Sequence, residues 1–243
     1  MKLRYDLADG IGRITLAAPP RNLLDRPEFE DRSVLEAFLS RPELTAVLVQ
    51  GEGRHFCAGA SLDSVRRLSE QPAALEQALV RGKVLLDVLG YANVPVLALI
   101  RGACLGAGLE IALACHFRMA SENAILGLPE AGLGLMPGFG GTILAQEVAG
   151  RAVAIDLALS GRMVGALEAQ QLGLVDSVEP TSALERKAVA FLRALVRERP
   201  PELVRAIMQS IHNARRLPRG EALTREGALF VQVARARLER GES

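Results

Sequence analysis

Two glutamates stand in surroundings where a carboxylate is unusual. Glu110 lies in the apolar run of residues 109–113, and Glu130 follows Pro129 in a loop rich in Gly and Leu. A buried carboxylate costs free energy unless it is hydrogen-bonded or its pKa is raised, and a raised pKa suits it to proton transfer near neutral pH. An ordinary first-turn helix acid and an ordinary loop acid would give the same sequence, so both interpretations stay open at this point.

Three glycine-rich segments accompany these glutamates, at residues 55–61, 102–110 and 129–141. The first two directly follow apolar runs that are typical of strands. Small residues let a substrate approach the backbone, and free N–H groups in the first turn of a helix attract negative charge. Two such loops could aim two N–H donors at one thioester oxygen and stabilise an enolate. One such loop taken alone could equally be a tight turn.

Several other kinds of site are disfavoured by the motifs. The chain has no G-x-G-x-x-G spacing in its glycine-rich segments, no Gly-Lys-Ser/Thr and no G-x-S-x-G, which argues against a dinucleotide site, a P-loop and an α/β-hydrolase elbow. His55, His116 and His212 are isolated from one another and from any cysteine pair, so we expect no metal site. Cys57 and Cys104 are expected to be small loop residues. We therefore expect no cofactor.

The composition indicates a globular chain with a substantial core. It has 243 residues, 49% hydrophobic, with a net charge of +1, three cysteines and 4% aromatic residues. This predicts a cytoplasmic protein with reduced thiols that binds neither nucleic acid nor membrane. Residues 185–243 carry 13 Lys and Arg against 7 Asp and Glu, a net +6, and the remainder carries −5. The basic segment could be an anion site, a subunit contact or a solvated helical face.

The apolar patterns predict an α/β fold whose sheet is largely parallel and covered on both faces. Strands are predicted at residues 11–16, 45–49, 94–100 and 123–128. Helices are predicted at residues 29–39, 73–89, 106–114, from 140 onward, and at 166–175, 184–196, 203–214 and 221–238. The last third is therefore predicted to be a helical layer.

Taken together and in this order, the three glycine-rich segments resemble the enoyl-CoA hydratase/isomerase family, also called the crotonase family. The resemblance extends from the strand before Pro19 to Val175 and Asp176. It implies a crotonase-like spiral of ββα units with a C-terminal helical region, divided into a core of residues 1–184 and a trimerisation region of residues 185–243. It also implies an acyl-CoA substrate and a homotrimer or a dimer of trimers.

The resemblance assigns roles to four residues. The backbone N–H groups of Ala60 and Ala107 would form the oxyanion hole, with Ala107 standing where many members have Gly. Glu110 and Glu130 fall on the two glutamates with which hydratases activate water and protonate the α-carbon. The presence of both favours an enoyl-CoA hydratase. Further residues are implied in substrate binding: Arg21, Leu23, Ala58, Ser61, Leu62, Gly106, Pro129, Leu133, Pro137 and Gly138.

Departures from the family pattern keep two alternatives open. Ser61 stands where many hydratases have Asp, and together with Asn22-x-x-Asp25 it resembles the cyclic dienoyl-CoA hydratases; an enoyl-CoA isomerase of the same fold is also possible. Gly138 stands where dienoyl-CoA isomerases carry a second acid, which disfavours that activity. Many relatives continue past residue 243 into a basic helix, which motivates a third alternative, a non-catalytic acyl-CoA-binding subunit.

Overall fold

A six-stranded sheet forms the centre of the molecule. The structure is a computed structural model that describes residues 1–240. In these residues the strands are β1 (Lys2–Ala8), β2 (Ile11–Ala17), β3 (Ala46–Gly51), β4 (Val96–Ile100), β5 (Ala103–Leu105), β6 (Phe117–Ser121), β7 (Ile125–Gly127), β8 (Met163–Gly165) and β9 (Ser177–Glu179). The main sheet has the order β1-β2-β3-β4-β6-β9 and is parallel except at the β1–β2 pair.

A second, small sheet has the order β5-β7-β8. The helices of residues 1–240 are α1 (Arg32–Leu39), α2 (Leu62–Ser69), α3 (Pro72–Gly90), α4 (Ala107–Ala114), α5 (Gly141–Ala149), α6 (Arg151–Ser160), α7 (Ala166–Gln171), α8 (Leu184–Val196), α9 (Pro201–Arg216) and α10 (Arg219–Glu239), with a 3-10 helix at Pro129–Leu133. Helix α3 packs against α1, α2 and α4, and α4 also packs against α5 and β5. The first glycine-rich loop follows β3 and the second follows β4.

The α/β class and the mainly parallel sheet are confirmed, and each strand predicted from an apolar run is present. Seven elements were not predicted, namely β1, β5, β6, β8, β9, α2 and α6, and neither was the 3-10 helix. The helix predicted over residues 166–175 ends at Gln171, because the chain turns at Gly173 with φ +77° and then continues into β9. The prediction that the last third is a helical layer without further sheet is therefore wrong at β8 and β9.

Helix α4 crosses the centre of the core. All eight of its residues are buried, including the charged Glu110. Its neighbours Leu109, Ile111 and Leu113 belong to the largest apolar cluster of the molecule. A helix that is apolar on every side is stable only when it is covered on every side. This burial is what makes the environment of Glu110 unlike that of an ordinary first-turn acid.

The C-terminal helices divide into two groups by their packing. The apolar side chains of α8 (Leu184, Ala188 and Leu192) pack on the main sheet beside Leu48 and Leu97. Helices α9 and α10 pair with each other, and no residue of α10 is buried. The predicted division into residues 1–184 and 185–243 stays a prediction; its last three residues lie outside the described part of the chain.

A pair of stacked histidines connects α9, through His212, with His116 directly before β6. The rings of His116 and His212 are stacked with centroids 5.4 Å apart, and their Nε2 atoms are 3.3 Å apart. His116 Nδ1 accepts a hydrogen bond of 3.0 Å from the Val96 N–H, and its Nε2 lies 3.1 Å from the Gly90 carbonyl oxygen. Both ring nitrogens of His116 are therefore committed in the neutral form, and a proton on Nδ1 would oppose the Val96 N–H.

Acid should weaken this contact. Burial lowers the pKa of His116 from 6.5 to about 4 and also lowers the pKa of His212, next to which stand Arg215 and Arg216. The unfolded chain then binds more protons than the folded chain, so the free energy of unfolding should fall as the pH drops from about 6.5 towards about 4.

We expect His212→Phe, which keeps a stacked ring and cannot titrate, to lose less stability than the wild type between pH 7 and pH 5. Urea unfolding at both pH values measures this. An equal decrease in the free energy of unfolding in the two proteins would show that protonation of His212 does not cause the acid sensitivity.

Candidate active site

The first glycine-rich loop is held in place by the backbone of Leu24. The Leu24 N–H donates to the Gly59 carbonyl (3.0 Å), and the Ser61 N–H donates to the Leu24 carbonyl (2.8 Å). Leu24 is therefore hydrogen-bonded to the two residues that flank Ala60. In such a parallel pairing the N–H of Ala60 itself points away from Leu24. Ala60 is exposed there.

The second loop reaches the same place at the start of α4. Gly106 has φ +50°, which favours glycine, and a Cβ at this position would lie 2.6 Å from Glu130 Oε1 and 4.0 Å from the Gly59 Cα. Ala107 is the first residue of α4, where an N–H has no acceptor within the helix. Within residues 1–240, neither the Ala60 nor the Ala107 N–H donates to a protein acceptor.

Glu110 lies one turn further along α4 and is 1% exposed. Its Oε1 accepts hydrogen bonds from the backbone N–H groups of Phe139 (2.9 Å) and Gly141 (2.6 Å). Burial raises the pKa of Glu110 to about 7, against the lowering effect of the Gly141 N–H, and the nearby Glu130 carboxylate adds to the rise. The carboxyl group is therefore oriented, and near neutral pH it is present both with and without its proton.

Glu130 is contributed by the 3-10 helix and lies against Gly106. Its Oε2 is buried and has no hydrogen-bond partner among the described residues. Burial raises the pKa of Glu130. A partly desolvated carboxyl group that is free at one oxygen is suited to hold and deliver a proton.

The two glutamates lie close enough to interact, since the Glu130 carboxylate contributes to the raised pKa of Glu110. Because each carboxylate disfavours a second negative charge nearby, one of the two will tend to carry a proton. A pair of this kind can remove a proton at one position and deliver a proton at another in one reaction. The two free N–H groups beside it can stabilise an oxyanion. Such an arrangement can add or remove water, or move a proton, next to a carbonyl group that takes up negative charge.

Five of the residues expected to line the substrate path lie in the first loop, in the turn beside it, or at the start of α2. The Ala58 N–H donates to the Arg21 carbonyl (2.9 Å), so the turn that contains Leu23 lies beside the first loop. Ser61 is the N-cap of α2, and its hydroxyl accepts from the Ser64 N–H (3.4 Å). Leu62 begins α2 and is exposed. The structure thus gives Ser61 a structural task; a contact of Ser61 or Leu62 with substrate stays a prediction.

The third loop supplies the other predicted lining residues. Pro137 is buried, and a Cβ on Gly141 would lie 3.0 Å from Pro137 Cβ. A Cβ on Gly138 would lie 3.8 Å from Leu79 Cδ2, an ordinary contact. Pro129 and Leu133 are on the 3-10 helix, with Leu133 exposed. The loop therefore meets Glu110 through Phe139 and Gly141, with Pro137 beside Gly141. The role of Leu133 stays a prediction.

Three contributions to the site were not recognised in the sequence. They are the Phe139 and Gly141 N–H donors to Glu110, Leu79 beside Gly138, and the ring of His55, which accepts from the Ala103 N–H. The glycine-rich composition of residues 138–141 indicated that another group could approach this backbone closely. It did not reveal that this group is the Glu110 carboxylate.

Burial decides the state of the cysteines. Cys57, Cys104 and Cys115 are free and buried, and burial raises the pKa of each thiol. Protonated thiols are poor nucleophiles and poor metal ligands. The part of the chain that the structure describes contains no group of three or more His, Cys, Asp or Glu side chains arranged to hold a metal ion. In the same residues, no helix is long and apolar enough to cross a bilayer.

Comparison with known proteins agrees with this geometry. The enoyl-CoA hydratase/isomerase family model matches residues 6–241. A Bacillus subtilis (strain 168) protein named "Probable enoyl-CoA hydratase" is 32% identical over 225 residues, covering 91% of this chain and 84% of that protein. The peroxisomal bifunctional enzyme of Danio rerio is 38% identical over 194 residues, which is 79% of this chain and 26% of that longer protein.

Solved structures share the whole architecture. An enoyl-CoA hydratase from Polaromonas sp. JS666 has a TM-score of 0.85 at 28% identity, covering 96% of this chain and 91% of that one. A crystal structure from Thermobifida fusca YX in complex with acetoacetyl-CoA has a TM-score of 0.82 at 28% identity, covering 96% and 94%. This chain belongs to the enoyl-CoA hydratase/isomerase family. The predicted family and the predicted crotonase-like α/β fold are confirmed.

Proposed function

We propose that this chain is an enoyl-CoA hydratase that adds water reversibly to a 2-enoyl-CoA thioester, with Glu110 and Glu130 as its catalytic residues. The observation that carries the proposal is the buried, doubly hydrogen-bonded Glu110 beside Glu130, with two free N–H groups at the same place. The function predicted from the sequence is also the one in the names of the Bacillus subtilis and Polaromonas relatives.

The oxyanion hole would act on the thioester carbonyl. When water adds to the β-carbon, negative charge moves onto the carbonyl oxygen. The N–H groups of Ala60 and Ala107 would donate to that oxygen and stabilise the charge as it develops. The Ala107 N–H has the added effect of the positive end of α4.

The glutamates would divide the proton transfers. Glu110, held by the Phe139 and Gly141 N–H groups, would orient the water and remove its proton. Glu130 would deliver its proton to the α-carbon of the substrate. The raised pKa of both groups, caused mainly by burial, keeps one proton available on the pair near neutral pH.

The acyl-CoA would approach over the first and third loops. The Thermobifida relative was solved with acetoacetyl-CoA, which supports a CoA thioester as the ligand of this fold. We assign the walls of the path to Arg21, Leu23, Ala58, Ser61, Leu62, Gly106, Pro129, Leu133, Pro137 and Gly138. The reaction would need no cofactor other than the CoA of the substrate. The cytoplasmic location stays a prediction.

A homotrimer, or a dimer of trimers, would cover the apolar surface that one chain leaves exposed. Large apolar side chains are exposed beside the site, on α6 and on α10, for example Met136 (70%), Leu159 (77%) and Phe230 (74%). Exposed apolar surface of this extent favours a protein partner. Light scattering should therefore give three or six times the 26.0 kDa chain mass, and a monomer at micromolar concentration would contradict this assembly.

The substrate test is a panel of linear 2-enoyl-CoA, 3-enoyl-CoA and cyclic dienoyl-CoA thioesters, with products identified by mass. We expect the linear 2-enoyl-CoA to gain the mass of one water. Conversion of the 3-enoyl-CoA without a mass change would identify an isomerase. Hydration of only the cyclic dienes would identify a cyclic dienoyl-CoA hydratase, and binding without any turnover would identify a non-catalytic subunit.

A further inference from the structure

The two loops that carry the oxyanion donors are joined by a short parallel ladder with one irregular step. The Phe56 N–H donates to the Arg101 carbonyl (2.8 Å), and the Cys57 N–H donates to the Ala103 carbonyl (3.1 Å). Between these two hydrogen bonds the first loop advances by one residue, from Phe56 to Cys57. The facing strand advances by two residues, from Arg101 to Ala103, as in a β-bulge. The next bond, from the Leu105 N–H to the Cys57 carbonyl (3.0 Å), follows the regular spacing.

This irregular step changes the acceptor for the Ala103 N–H. The regular spacing of the ladder would direct this N–H to the carbonyl of His55. It donates instead to the ring, at His55 Nδ1, over 3.0 Å. Because a backbone N–H can only donate, Nδ1 is the unprotonated nitrogen, and the neutral ring carries its hydrogen on Nε2.

The His55 carbonyl is occupied from the other side by Asn22. The Asn22 side chain is fully buried, and its Nδ2 lies 2.8 Å from the His55 carbonyl oxygen and 2.9 Å from that of Glu52. Its Oδ1 accepts from the Ala18 N–H (3.0 Å). The backbone before the first loop is therefore anchored, which leaves the His55 ring in a defined position over Ala103.

Gly102 is shaped to receive this ring. A Cβ on Gly102 would lie 2.5 Å from His55 Nδ1, and its φ is +51°, so a larger residue would displace the imidazole. The contact joins the bases of both loops. His55 stands five residues before Ala60, and Ala103 stands four residues before Ala107 along β5.

We propose that His55 is a positioning residue for the oxyanion hole, because its ring sets the first loop against the second and so fixes the Ala60 and Ala107 N–H groups relative to each other. The inference rests on the proposed function of these two groups. Oxyanion stabilisation acts on the transition state, so misplaced donors should lower kcat more than they raise KM.

The test compares His55→Leu with His55→Asn in crotonyl-CoA hydration. Leucine removes the acceptor, whereas the Oδ1 of asparagine is bonded to Cγ, as Nδ1 is in histidine, and can accept from the same N–H. We expect His55→Leu to lower kcat by about tenfold to a hundredfold, the order expected for a misplacement of about 1 Å, with KM changed only slightly. His55→Asn should recover most of kcat.

A double-mutant cycle with Ala107→Pro separates positioning from a general effect on folding. In Ala107→Pro one of the two donors is already absent, so moving its loop can no longer weaken that hydrogen bond. His55→Leu should therefore lower kcat by a much smaller factor in the Ala107→Pro background than in the wild type. A wild-type kcat in His55→Leu, an equal loss in His55→Asn, or fully additive losses would each overturn the proposal.

Failure of the proposed function is distinguishable, since the wild type itself would then hydrate nothing. In that case amide hydrogen exchange of residues 102–107 decides the positioning role independently of activity. Faster exchange in His55→Leu that is reversed in His55→Asn would support the role, and unchanged exchange would overturn it.

Discussion

Glu130→Gln should lower kcat for hydration of crotonyl-CoA by about a hundredfold to about ten-thousandfold, the range found for loss of a positioned general acid or base. Glutamine keeps the size of the side chain but cannot deliver a proton to the α-carbon. Glu110→Gln should cost a similar factor, because its amide oxygen can still accept from the Phe139 and Gly141 N–H groups while the base is lost. Initial rates, followed by the loss of the enoyl-thioester absorbance, measure both variants.

Glu43→Gln is a matched control, since Glu43 is exposed in the turn before β3. It should hydrate at the wild-type rate. Near-wild-type rates in both Glu110→Gln and Glu130→Gln would remove the glutamates from the mechanism. The wild-type pH profile gives a second check: hydration needs ionised Glu110, so kcat/KM should fall as the pH drops through about 7. It needs protonated Glu130, so the rate should also fall at higher pH.

Ala107→Pro should lower kcat by about a hundredfold to a thousandfold, the loss expected when one oxyanion donor is removed. Proline has no N–H, yet it is well tolerated at the first residue of a helix, where Ala107 stands. The substitution therefore deletes the donor with little expected cost to α4. Steady-state kinetics with crotonyl-CoA should show the loss mainly in kcat.

Ala107→Gly is the matched comparison, because it removes the methyl group and keeps the N–H. Circular dichroism and thermal unfolding should show that both variants fold. The oxyanion assignment would be wrong if Ala107→Pro retained a kcat close to that of Ala107→Gly.

The sequence was most informative where chemistry is encoded locally. Strand β4 is uniformly apolar and β3 is apolar from Ala46 to Val49, as expected for strands covered on both faces, and each is followed by a glycine-rich loop. Glu110 could be singled out because an acid within an apolar helix is unusual. Strand β1 also carried a signal that was overlooked, since Leu3, Tyr5 and Leu7 alternate with polar residues, as expected of a half-exposed edge strand.

Contacts between residues that are far apart in the sequence could not be predicted from local patterns. The N–H groups that orient Glu110 come from 29 and 31 residues further along the chain. The His55 ring meets Ala103 across 48 residues, at a bulge that no local pattern announces. Ser61 has a role that the sequence did not reveal, since its hydroxyl caps α2, an unpredicted helix. Its contact with substrate stays a prediction.

Addition of water to an enoyl-CoA by the Glu110–Glu130 pair can be followed with crotonyl-CoA in water enriched in ¹⁸O. The purified wild type and Glu130→Gln are compared, and the product is analysed by mass. We predict rapid formation of the 3-hydroxyacyl-CoA carrying one heavy oxygen in the wild type and a strongly reduced rate in the variant. Equal rates in the two proteins, or a wild-type product of unchanged mass, would contradict the account.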